Sequence, residues 1–230
     1  MKTIVRLAIA ATVLLTPELG SARTATIPAK VGEVLDRTQR TDLTYAVYKR
    51  SHIDFEGAMP ARDGWSAEFH SGAKLRVETL VSKALADCDA RDGVLIIPEI
   101  DKITRGREVA DLACGITLDQ PVLQAEWLGE VDSEFGRLDR IRIVTAEVIM
   151  TFDVNPDGVT VNAVFQRNDA DKSIAVEEHA VAIETALPEG PLFDEAALDR
   201  SFIPERVKAD RKSTRLNSSH TDISRMPSSA

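Results

Sequence analysis

Between Arg140 and Phe165 the apolar residues fall on alternate positions, and this period of two constrains the fold more than any other feature of the chain. Val144, Val148, Met150, Phe152 and Val154 line one side of an extended segment, and Val159, Val161, Ala163 and Phe165 return along another. Successive residues of a β-strand point to opposite faces, so the pattern fits strands and excludes an amphipathic helix. Between the two runs, Asn155-Pro156-Asp157-Gly158 places proline at the second turn position and glycine at the fourth, as a type I turn with a bulge prefers. The segment predicts one long strand over Arg140–Val154, a tight turn and a returning strand.

The same alternation recurs elsewhere. Leu43, Tyr45 and Val47 share a face; Trp65, Ala67 and Phe69 share another and turn Ser66, Glu68 and His70 outward. After a Ser-Gly turn, Leu75, Val77 and Thr79 alternate with Arg76 and Glu78, which predicts a hairpin. Val94–Pro98 reads as a short apolar strand, Leu123, Ala125, Trp127 and Val131 as one face of a further strand, and Ser173–Leu187 as another. Helical signals are short: Val31, Val34 and Leu35 after Pro28, a turn over Arg105–Ala113 stopped by Gly115, and a last helix over Phe193–Arg200. The predicted class is mainly β, a β-rich α+β fold: a curved antiparallel sheet or half-barrel with a few short helices.

The ends read differently from the middle. Lys2 and Arg6 precede the uncharged apolar run Leu7–Leu15, and Pro17 and Gly20 then break it before Ala22. That is the three-part form of a signal peptide, with cleavage expected after Ala22 and Ala25 as the alternative. The run is far shorter than the roughly 20 residues of a membrane-spanning helix. No cysteine stands at the cleavage site, so acylation as a lipoprotein is not expected. The expected organisation is a signal peptide over 1–22, a single exported β-rich domain over 23–209, and a tail over 210–230. The mature chain is expected in the periplasm or secreted, with no stable membrane insertion. The tail is polar, serine-rich and without periodicity, as disordered segments are. Asp210 to His220 also resembles an in-frame translation of a common sequencing adapter, with Ser224 to Ala230 as its distal part and Thr221 to Ile223 at the index position. That resemblance implies a non-native tail and leaves the true C-terminus undefined.

Setting both ends aside removes six basic and three acidic residues, so the formal charge moves from −9 to −12. Such a balance argues against nucleic acid and anionic membranes, both of which require clustered Lys and Arg. Cys88 and Cys114 are the two cysteines of the chain. In an oxidising compartment they are expected to form a disulfide, closing a loop of about 25 residues and contributing roughly 3 kcal/mol. A redox-active pair and a reduced buried pair are the alternatives, although redox pairs usually stand as C-x-x-C at a helix start.

No catalytic or metal-binding constellation stands out. Asp153 to Gly158 opens like a calcium loop, but Val164 stands where a bidentate glutamate is required, so a hairpin turn is the better reading. His52, His70 and His179 show no paired metal-ligand spacing, and Ser51-His52-Ile53-Asp54 has triad residue types without triad geometry. Neither catalytic, metal nor cofactor residues are therefore assigned. Apolar stripes can line a ligand cavity as well as a core, and Trp65, Trp127, Met150, Phe152 and Phe165 are the candidate lining.

Three features together resemble a known family. They are the turn and strand Gly72-Ala73-Lys74-Leu75-Arg76-Val77-Glu78, the hairpin region bounded by Gly129 and Gly136, and the strand ending Phe152-Asp153-Val154 before an Asp-Gly turn. Over Tyr45 to Gln166 the chain is similar to LolA-like periplasmic lipoprotein carriers. The resemblance implies a half-barrel closed by helices around an apolar cavity, a non-enzymatic role, and a lipid, acyl chain or acylated partner as ligand. The cysteine pair and an insertion around Ile100–Gly115 depart from that pattern. Two classes follow: a carrier for a hydrophobic ligand, and an envelope interaction module with a filled core that holds a protein partner. A hydrolase with an unidentified site is third.

Overall fold

Strand pairing decides the architecture. Among the described residues of the computed structural model (25–54, 60–116, 120–168 and 175–209), eleven antiparallel strands form one sheet that does not close. The expected signal peptide and tail lie outside the described residues. In chain order the elements are α1 (Ala29–Thr38), β1 (Thr44–Asp54), β2 (Arg62–Ser71), β3 (Lys74–Glu78), β4 (Lys83–Asp87), β5 (Asp92–Ile97), β6 (Lys102–Arg105), α2 (Arg107–Ala113), β7 (Gln124–Ser133), β8 (Gly136–Val144), β9 (Val148–Val154), β10 (Thr160–Arg167), β11 (Ala175–Glu184) and α3 (Glu205–Ala209). Their order across the sheet is β6-β5-β4-β3-β2-β1-β11-β10-β9-β8-β7, so β6 and β7 are its two edges. The class is mainly β with three short helices among the described residues, as the alternation requires.

Directly paired residues of antiparallel strands present their side chains on the same face, so the register traces each face across the sheet. One row runs Trp127, Ile141, Phe152, Ala163, Glu178, Ser51, Gly64. The next runs Ala125, Ile143, Met150, Phe165, Val176, Ile53. This is the helix face. α1 lays Val31, Val34 and Leu35 on Ile141, Ile143, Phe152, Val154 and Ala163, while α2 packs over β3 to β6. The opposite face carries the row Ala46, Phe69, Arg76, Leu85, Val94 and is covered by the C-terminal segment, a strap bearing Leu192, Leu198, Ile203 and Val207. Ala46–Lys49 of β1 is thus buried on both faces, whereas farther along the sheet His52 and His179 stay exposed on the strap side.

The structure differs from the sequence reading at three places, each for a local reason. Arg140–Val154 is two strands, because Thr145 turns the chain: its Oγ1 accepts from the N–H groups of Glu147 and Val148, and its own N–H donates to the Val148 carbonyl. Phe193–Arg200 forms only a 3-10 turn over Glu195–Ala197. The Arg76 guanidinium donates to the carbonyls of Leu192, Ala197, Leu198 and Arg200 and fastens the segment to β3. Ser66, Glu68 and His70 do not face solvent; they lie on the helix face, and Ser66 is 4 % exposed.

The turn after β9 shows how tightly α1 is seated. Asn155 Oδ1 accepts from the N–H groups of Asp157 and Val159 and holds the turn closed. Gly158 adopts φ 93°, and a Cβ there would collide with the Arg37 carbonyl at the end of α1. Glycine is required at this position on both grounds.

Candidate functional site

Along β1 the odd positions are Leu43, Tyr45, Val47 and then Lys49, so an ammonium follows three apolar residues onto the helix face. α1 packs chiefly over β7 and β8, and α2 over β3 to β6; the central strands β11, β1 and β2 lie between them. There the apolar interior gives way to a polar cluster. Lys49, only 2 % exposed, pairs closely with Glu68 Oε1 and stands 3.9 Å from Glu178 Oε2. Ser51 Oγ donates to Ser66 Oγ at 3.1 Å and lies 3.3 Å from Glu178 Oε1. His70 Nε2 is 3.6 Å from Glu68 Oε2, and its ring stacks on Tyr45 with centroids 4.2 Å apart.

Burial alone would neutralise these groups, since a low-dielectric site disfavours charge. It works against the Lys49 ammonium, but the Glu68 and Glu178 carboxylates outweigh it and hold Lys49 charged. Burial likewise pushes the Glu68 carboxyl up, while Lys49 and His70 pull it further down, to about 2. Tyr45 has no such compensation: burial and the Glu68 charge both raise its phenol far above the ordinary value. Lys49 and Glu68 are therefore both charged at neutral pH, with Glu178 beside them. Ser51 meets Ser66 and Glu178, His70 meets Glu68, and a charged Lys49 has no lone pair with which to accept a proton, so the serine and histidine do not stand in a Ser-His-carboxylate relay.

A second polar centre fastens α1. Asp139 Oδ2 accepts from Arg37 Nη2 at 2.6 Å and lies 3.7 Å from Lys30 Nζ; its Oδ1 accepts from Trp127 Nε1 at 2.9 Å. Burial raises the Asp139 carboxyl, but the Arg37 and Trp127 hydrogen bonds outweigh it and hold it below its usual range.

The five candidate lining residues separate. Phe152 (5 % exposed), Met150 and Phe165 pack together beneath α1, with Phe152 and Phe165 edge to face at 5.5 Å. Trp127 lies on the same face at the β7 edge, 42 % exposed, and completes the rim. Trp65 is on the opposite face, under the strap, with Arg50 over its ring. Cys88 and Cys114 stand at disulfide distance, Cα atoms 5.6 Å apart, and tie the end of α2 to the β4–β5 connection beside Leu75, Ala86 and Ala110. Two cavities flank β5: one of about 60 Å³ between α2 and the sheet, and one of about 220 Å³ under the strap beside Ile103, Arg105 and Glu195. Both are smaller than the roughly 300 Å³ at which pockets for drug-sized ligands begin.

Sequence reasoning missed Lys49, Glu68, Glu178 and Asp139. The legible sign was Lys49 itself, a charge at the next in-register position of an apolar strand face.

No protein-family model and no curated protein sequence matches the chain. Solved structures do. A LolA superfamily protein from Nitrosomonas europaea is similar at 8 % identity and TM-score 0.37, over 76 % of this chain and 99 % of that one. A DUF1329 family protein from Desulfovibrio piger is similar at 11 % identity and TM-score 0.37, over 75 % of this chain and 100 % of the other. A conserved protein of Thermus thermophilus is similar at 13 % identity and TM-score 0.44, over 75 % and 94 %.

Proposed function

We propose that this protein is a non-enzymatic carrier, acting in the periplasm or after secretion, that holds an acyl chain or the acylated end of a partner on the helix face. The observation that carries the proposal is the surface under α1. Ile141, Ile143, Met150, Phe152 and Phe165 form one apolar floor, and the cover over it is the ten-residue α1, contributing three aliphatic side chains, with Ile116 and Val122 beside it. Lifting Val31, Val34 and Leu35 forfeits about 6 kcal/mol of burial at roughly 1.5–3 kcal/mol each. An acyl chain that buries about ten methylenes at roughly 0.8 kcal/mol each returns about 8 kcal/mol. The ion pairs that fasten α1 run from the buried Asp139 to the partly exposed Arg37 and Lys30 and add to that cost. The exchange is close to balanced, as a carrier that must also release its cargo requires.

Titration of the purified chain with a fluorescent dodecyl probe, displaced by dodecanol, tests this. Saturable, displaceable binding is expected, accompanied by faster amide exchange over Ala29–Thr38 as the helix lifts. Absence of displaceable binding removes the carrier reading.

One observation favours the second reading, an envelope interaction module. Phe152 is buried, so the face is filled as it stands, and the open edges expose Ile103 on β6 (59 %) and Trp127 on β7. Protein capture at an edge, with no acyl binding, would select it.

A further inference from the structure

We infer that the amphiphile held on the helix face carries a cationic, amine-type head group, which docks against Glu178 at the centre of the sheet. The inference rests on the carrier reading above and names the chemistry of its ligand. It starts from the charges of the central cluster. Lys49 supplies one positive charge, and Glu68 and Glu178 supply two negative ones. Lys49 spends most of its attraction on Glu68, which it meets closely, whereas Glu178 lies 3.9 Å off. His70 also leans on Glu68, at 3.6 Å. Glu178 is thus the carboxylate left without a close cation on this face. The side chains of Glu178 and Glu68 are 19 % and 25 % exposed while that of Lys49 is 2 % exposed, so an incoming group can reach either carboxylate, and of the two Glu178 is the one without a close cation.

Position ties this charge to the apolar floor. Glu178 pairs across the β10–β11 ladder with Ala163, and Ala163 pairs with Phe152. The neighbouring pair is Val176 with Phe165. A chain lying on Phe152 and Phe165 therefore ends its polar group two strands away, beside Glu178 and the Ser51 hydroxyl. A carboxylate arriving there would be a third anion in a partly desolvated cluster, which like-charge repulsion penalises. An ammonium would give Glu178 a counter-ion and three donors to share with Ser51 and Glu68. A hydroxyl head would fall between the two.

Calorimetric titration of the full chain with dodecylammonium, dodecanol and dodecanoate, below their micelle concentrations, tests the inference. Dodecylammonium is expected to bind about tenfold tighter than dodecanol, with dodecanoate weakest. The net negative charge of the whole chain also favours cations, but added salt screens that general field more than a partly buried contact. The preference is therefore expected to persist in salt. Glu178→Gln should narrow the ammonium-to-dodecanol ratio to below about twofold, and Glu178→Asp, which keeps the charge, should retain most of it. Dodecanoate binding as tightly as dodecylammonium, or an undiminished preference in a folded Glu178→Gln protein, overturns the inference and leaves the carrier standing. If none of the three binds, the carrier reading falls and the inference falls with it.

Discussion

Each face of the sheet buries one basic side chain, and the two are held in opposite ways. On the strap face Arg76 is 0 % exposed and directs its guanidinium almost wholly at backbone. Nη1 donates to the Leu192 carbonyl at 3.0 Å, Nη2 to Ala197 and Arg200 at 3.3 and 2.5 Å, and Nε to Glu78 at 2.8 Å. Glu78 then accepts from Ser201 Oγ and the Phe202 N–H, and the Phe202 ring closes over the guanidinium. On the helix face Lys49 meets only side-chain carboxylates, each still partly open to water. A planar fork that satisfies several fixed carbonyls makes a latch; a point charge among titratable, reachable carboxylates makes a site. The difference separates a face latched through backbone carbonyls from one whose buried charge is held by side chains alone.

The largest effect expected of breaking this contrast is at the latch. Arg76→Met leaves Glu78 buried without its cation and several strap carbonyls without a donor. Removing one partner of a buried ion pair costs about 4 kcal/mol. Urea unfolding should report a loss of that order, and amide exchange over 192–202 should accelerate well before the strands do. Arg76→Lys should recover less than half, because an ammonium cannot span the same carbonyls. A Met variant within about 1 kcal/mol of wild type would mean that the strap is held by its apolar side chains alone.

Next in size is the cysteine pair, which anchors the helix face only. Closing a chain separation of 26 residues contributes about 3 kcal/mol in the chain-entropy account. The Cys88→Ala, Cys114→Ala double variant should lose about that much and loosen α2, with exchange over 192–202 little changed. Equal loosening of strap and α2 would show that the two faces do not open independently. Two free thiols in the native, unreduced protein would remove the bridge from the account.

Sequence alone carried the sheet further than the site. Period-two alternation and the Asn155–Gly158 turn gave the class, most strands and the neighbouring hairpins, because strand direction and turn chemistry are local. The break at Thr145 was hidden by an apolar pattern that continued on either side of it, and only its side-chain bonds to the following N–H groups reveal the turn. The strap misled for the opposite reason: FDEAALDR has helical composition, but the segment is fastened through its Ala197 and Arg200 carbonyls to Arg76, more than a hundred residues earlier. The Glu68 and Glu178 carboxylates come from strands separated by about half of the chain and meet through β1. Nothing in their local sequence marks them. Met150, Phe152 and Phe165 were legible as a group because one hairpin carries all three; Trp65 shares their chemistry but not their face.

The smallest effect concerns the site cluster, and pH identifies it. Glu68→Gln removes the closest counter-ion of Lys49 while leaving Glu178 at 3.9 Å, and Glu68 itself is a quarter exposed. A loss of about 2 kcal/mol near neutral pH is expected, below the cost at the latch. The sign with pH follows from the direction of the shift. The folded carboxyl is lowered from 4.5 to about 2, so its stabilisation is complete above the ordinary value and is lost as the pH falls toward about 2. A protonated Glu68 is close to isosteric with glutamine. The stability difference between wild type and Glu68→Gln should therefore be constant down to about pH 5, shrink below it, and nearly vanish by about pH 2. Arg76→Met should keep its deficit to lower pH, because its lost bonds are largely to carbonyls that do not titrate. Urea midpoints of the two variants across that range distinguish them. Parallel curves would show that the helix-face cluster is as much a fixed latch as the one beneath the strap.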